Sequence, residues 1–86
     1  MDQRQNTTRP ELLVLPEDLV VPVEVEWIGV DADGDADGFV YKPSLGIQSR
    51  YLPVEDEIPV SLFWYGAGDG SLKLYKRTEA GFERAE

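Results

Sequence analysis

Eighty-six residues with no cysteine and no histidine, carrying seventeen acidic against eight basic side chains for a formal charge of −9, leave this chain a restricted chemistry. Disulfides, thiolate nucleophiles, imidazole metal ligands, a Ser-His-Asp triad and a histidine pH switch are excluded within it. The negative balance disfavours direct contact with nucleic-acid phosphates and with anionic membranes, and suits a cationic protein partner or a bound metal cation.

The charge is not spread evenly. Residues 10–41 hold nine acids and no base, whereas residues 42–86 hold seven acids and six bases. No apolar run approaches the ~20 residues that span a bilayer, and the first residues, MDQRQNTTRPE, are polar. The expectation is a soluble, cytoplasmic chain.

Residues 1–8 read as a flexible N-terminal tail, and a single small β domain is expected over 9–86. Thr8, Pro10 and Glu11 fit a capping box with proline in the first turn, so residues 9–14 have the option of one helical turn. Leu12 to Leu15 is a weak alternative strand. Prolines at 10, 16, 22, 43, 53 and 59 cut the remaining chain into pieces too short for a long helix. From Leu19 the alternation Leu19, Val21, Val23, Val25, Trp27 predicts a strand with one apolar face and with Glu24 and Glu26 on the other. The acidic stretch 31–38, Asp-Ala-Asp-Gly twice over, predicts a hairpin turn before a strand at Phe39 and Tyr41. A further strand is expected over Ile47 to Leu52, with Arg50 outside. Val60, Leu62 and Trp64 then define one face of a strand whose other face carries Ser61, Phe63 and Tyr65. Gly66 to Ser71 is a second turn, and Leu72 with Leu74 resumes the sheet. The last four residues read as a loose end. The expected fold is all-β: a small antiparallel barrel or sandwich of five to six short strands, SH3-like or OB-like in architecture.

One stretch carries recognisable chemistry. From Asp33 to Val40 the order Asp33, Asp35, Asp37, Gly38 matches the first part of an EF-hand-like calcium loop, with carboxylates on alternate residues and glycine at the sixth position. The match stops at Ser44, which stands where a bidentate glutamate belongs. Completion of a calcium shell would fall to Asp31, to the Glu55-Asp56-Glu57 cluster, or to water. Those three acids lie in a loop between prolines, where nothing signals a cleft that would shift their pKa, so catalysis is not expected.

The function expected is a non-enzymatic, acidic protein-binding or assembly module, such as a subunit of a complex or a phage component. It would dock on a larger protein through an exposed strand edge or an aromatic face. Phe63, Tyr65, Tyr75 and Arg77 have the side-chain types that dominate interfaces and are the expected docking face. One alternative is an inhibitor that mimics nucleic acid, with Glu24 and Glu26 spaced ~7 Å apart along a strand like successive phosphates. Another is a calcium-binding β-hairpin using Asp33, Asp35 and Asp37.

Overall fold

The computed structural model describes residues 11–47 and 50–86. All of the described secondary structure is β. Five strands form one antiparallel sheet: β1 (Trp27–Val30), β2 (Asp35–Phe39), β5 (Val60–Trp64), β6 (Lys73–Thr78) and β7 (Gly81–Arg84), in the spatial order β5-β2-β1-β6-β7. A two-stranded sheet, β3 (Ser44–Leu45) with β4 (Tyr51–Leu52), stands apart from it. Since β5 and β7 are edges that do not pair with each other, the barrel is not closed.

The period of two divides β1 between two cores. Ile28 and Val30 face one side, where they join Val25, Ala36, Tyr75 and Phe82, with Leu13, Leu15, Val21, Leu62 and Phe63 packed against them. Trp27 and Gly29 face the other side, where Phe39, Leu74 and Tyr51 form a second, smaller cluster. A Cβ at Gly29 would meet the Tyr51 ring at 2.8 Å, so the glycine leaves the space in which Tyr51 seats the β3–β4 arm on the sheet. The N-terminal segment thus covers one face and the arm part of the other. Burying both faces of a central strand is how so short a chain removes enough apolar surface from water.

Several expectations change here. Residues 19–26 form no strand. Pro16 O accepts the Leu19 N–H at 3.1 Å and Pro22 O accepts the Val25 N–H at 3.0 Å, so the chain turns twice before it joins the sheet. Proline 22 has no N–H for a ladder, and only from Glu26, bonded to Phe39 O and to the Arg77 N–H, does pairing begin. Of the expected strand over Ile47 to Leu52 only Tyr51 and Leu52 are extended and paired; residues 48 and 49 lie outside the described set. Nor are the last four residues loose. Glu83 and Arg84 belong to β7, and Leu74 binds both Ala85 N–H and Glu86 O. The optional helical turn gives way to an extended start: Leu12 bridges Glu83, and Leu13 N–H reaches Phe82 O at 2.9 Å. Thr8, Pro10 and the proposed tail over 1–8 lie outside the described residues.

The alternation in β5 is broken by a bulge. Asp37 pairs with Ser61 and Ala36 with Phe63, which leaves Leu62 as an extra residue. Val60, Leu62 and Phe63 therefore all pack on the larger core, while Trp64 passes to the opposite side and is 64% exposed.

Candidate functional site

The acidic hairpin places its carboxylates by strand geometry. Asp35 and Asp37 are two residues apart on β2 and so share a face, and Asp31, the residue after β1, lies opposite Asp35, whose carbonyl accepts its N–H at 2.9 Å. One carboxylate oxygen from each of Asp31, Asp35 and Asp37 lies within 4.8 Å of the others. Asp33 is not part of this group. It sits at the exposed tip of the turn, where its Oδ1 accepts the Asp35 N–H at 3.2 Å. Of the expected calcium set Asp33, Asp35 and Asp37, the structure brings Asp35 and Asp37 together with Asp31 and leaves Asp33 outside the group. The cause is that residues 35–38 are strand where an EF-hand needs a coiled loop.

Asp31 is only 6% exposed. Its Oδ1 accepts the Tyr51 N–H at 3.2 Å and its Oδ2 lies 3.9 Å from Arg50 Nε, so it ties the arm to the sheet. Burial raises its pKa above the ordinary carboxylate value, partly offset by the Tyr51 bond and by Arg50. Asp37 goes further, to about 6, first through burial and then through repulsion from Asp35 and Asp31. With the Asp31 oxygens turned to Tyr51 and Arg50, the three carboxylates have only part of the six to eight oxygens that calcium takes to offer. Glu57 is not available to add one, because its two oxygens accept the Val40 and Tyr41 N–H groups at 2.8 and 3.2 Å.

The four residues expected to form a docking face are dispersed. Tyr75 is 2% exposed in the larger core, its hydroxyl donating to Glu11 Oε2 at 3.0 Å. Phe63 packs on the same core and stacks edge-on against Tyr65 at 4.2 Å between centroids. Arg77 directs Nε to Val25 O (2.8 Å) and Nη2 to Pro22 O (3.0 Å), and lies over the Phe82 ring. It clamps the irregular segment that precedes β1. Tyr65 is 41% exposed, yet its hydroxyl donates to Val14 O at 2.7 Å. As docking residues, Tyr75 and Arg77 are therefore corrected to internal roles: the sheet needs an aromatic to fill its core, and the guanidinium binds two carbonyls of the irregular segment, Val25 O and Pro22 O. The paired carboxylates of the mimicry reading also separate. Glu24 lies in a turn, and Glu26 faces Lys76 and Arg77, each at 3.9 Å.

Two other features emerge. Between the N-terminal segment and the β5–β6 loop is a cleft of about 430 Å³, walled by Val14, Val30, Tyr65 and Tyr75, with Glu11, Asp69 and Lys73 as its charged side chains outside the acidic hairpin. The second feature is a succession of exposed apolar residues along the segment that carries the arm: Val40, Tyr41, Leu45, Ile47, Leu52, Val54 and Ile58, with Ile47 81% and Ile58 91% exposed. The prolines at 43, 53 and 59 were the available sequence signal for the second, since they keep this segment from pairing over more than two residues.

Compared with protein-family models, with curated proteins and with solved structures, the chain has no match. Among the described residues no helix is long and apolar enough to cross a membrane.

Proposed function

We propose that this chain is a non-enzymatic protein-binding or assembly module that docks on a larger protein through the apolar surface of residues 40–58. The observation that carries this reading is the exposure of seven large apolar side chains between Val40 and Ile58. Single exposed apolar residues are ordinary, but a concentration of them marks an interaction surface. The arm is anchored to the sheet through Tyr51 and Asp31, so it presents these side chains from a defined position. Beside them, Glu55 and Asp56 favour a partner with basic groups at its rim. The test is a triple variant, Leu45→Ser, Ile47→Ser, Ile58→Ser, compared with the parent chain by light scattering and by retrieval of partners from source extract. Loss of the retrieved partner with an unchanged melting temperature is the expected result; equal retrieval by both chains would refute the reading.

The convergence of Asp31, Asp35 and Asp37 favours a second reading, weak binding of a divalent cation that relieves their mutual repulsion. Binding to the folded state would raise the melting temperature in millimolar calcium relative to chelator. An equal shift in sodium chloride at the same ionic strength would reduce the effect to screening.

A further inference from the structure

We infer that the cleft between residues 11–14 and the β5–β6 loop receives the cationic side chain of a partner, a lysine or arginine entering stem first along its apolar wall. This rests on the protein-binding reading and adds to it a second contact with a stated chemistry. The volume of about 430 Å³ suits an amino-acid side chain with some adjoining backbone. Val14 and the exposed Tyr65 ring, with the buried Val30 and Tyr75 behind them, form a wall on which an alkyl stem can lie.

Two carboxylates stand at the rim. Glu11 and Asp69 have side chains 54% and 60% exposed. Glu11 already accepts from Tyr75 and from Arg84, and Asp69 from Ser71 and Lys73. A carboxylate has about four acceptor positions, so Glu11 keeps capacity for a further donor. The one ammonium in the lining, Lys73, is held by Asp69 at 3.0 Å and is already neutralised. An anionic ligand would have to displace Asp69 and to approach a molecule of charge −9. Both rim carboxylates are themselves paired, Glu11 with Arg84 and Asp69 with Lys73, so a cation is drawn by the charge of the whole and held at the rim through the acceptor positions that Glu11 keeps.

The experiment is a titration of isotope-labelled full-length chain, followed by amide resonances, with three probes: N-acetyl-arginine amide, N-acetyl-norleucine amide and N-acetyl-glutamate amide. The arginine probe is expected to move Leu13, Tyr65, Ser71 and Lys73 saturably, at least fivefold more tightly than the norleucine probe. Glu11→Gln combined with Asp69→Asn should weaken it at least fivefold in a chain that still melts cooperatively. Equal response to norleucine or glutamate, or shifts confined to other surfaces, would overturn the inference without need of any variant. Retrieval of a partner through the arm by a chain whose cleft ignores the arginine probe also overturns it and leaves the module standing. A cleft that binds the arginine probe in a chain that retrieves nothing sustains the cation site and overturns the module.

Discussion

The chain contains the same tetrapeptide, Asp-Ala-Asp-Gly, twice in succession, and the two copies fold differently. Residues 31–34 reverse the chain: Asp31 N–H bonds Asp35 O, Gly34 N–H bonds Asp31 O, both at 2.9 Å, and Gly34 adopts φ 93. This is a three-residue hairpin loop closed by a left-handed glycine. Residues 35–38 are strand, paired on one side with β1 and on the other with β5. Local propensity is identical in the two copies, so it decides neither. The second copy is extended because it lies between two strands whose backbone groups it satisfies, and because Ala36 and Gly38 are small enough to sit in the core.

The largest expected difference between the copies lies in their alanines. Ala36 is fully buried, so Ala36→Asp places a carboxylate in the core without a partner and should cost about 3 kcal/mol or more, enough to unfold a domain of this size. Ala32 lies in the turn and is partly exposed, and Ala32→Asp should cost less than ~1 kcal/mol. Chemical denaturation of both variants measures the contrast; similar midpoints would mean that residues 35–38 are not the buried strand.

The glycines differ next. Gly34→Ala meets both a left-handed φ and the Ala67 carbonyl oxygen at 2.6 Å from the new Cβ, a backbone atom that cannot move aside. A loss of about 2 kcal/mol is expected. Gly38→Ala meets Val25 Cγ1 at 2.9 Å, a buried side chain that must repack, but in an extended conformation that alanine accepts. About 1 kcal/mol is expected there, and thermal melts at matched pH order the pair.

The smallest contrast is between carboxylates. Asp37 has a folded pKa of about 6 against an ordinary value of 3.8, so its favourable contribution is complete below the latter and is lost as pH rises through about 6. At neutral pH its charge destabilises the fold. Discounted for solvent screening at this partly exposed position, the effect is roughly 1 kcal/mol. Acidification from pH 7.5 to 5 should therefore raise the melting temperature by several degrees, and Asp37→Asn should raise it at pH 7.5 and flatten that rise. Asp33→Asn, at the exposed tip, should change stability by no more than ~0.5 kcal/mol. A parent chain whose melting temperature falls steadily from pH 7.5 to 5 would refute the account of Asp37.

Part of the candidate site was legible in the residue order and part was not. The spacing of Asp35 and Asp37 placed them on one strand face as soon as that stretch was extended, but an Asp/Gly-rich octapeptide reads as a turn throughout, which grouped Asp33 with them where the structure groups Asp31. Consecutive aromatics at 63–65 had to alternate sides without the sequence saying which side is core, and the bulge at Leu62 decided it by turning Phe63 inward and Trp64 outward. The β7 strand was missed because its four residues, Gly-Phe-Glu-Arg, carry a single apolar side chain.

By itself the sequence determined the all-β class, since six prolines forbid long helices and the apolar residues recur with a period of two. It also determined the absence of thiol and imidazole chemistry and the position of the Asp/Gly-rich hairpin. Which copy of the tetrapeptide turns, which face Phe63 occupies, that Tyr75 and Arg77 are spent inside the fold, and that seven large apolar residues between Val40 and Ile58 remain outside it were decided by the tertiary structure. The physical reason is common to all four. Each depends on which backbone groups and which volumes remain unsatisfied once distant strands have paired, and that is a property of the assembled sheet, beyond the reach of any local window.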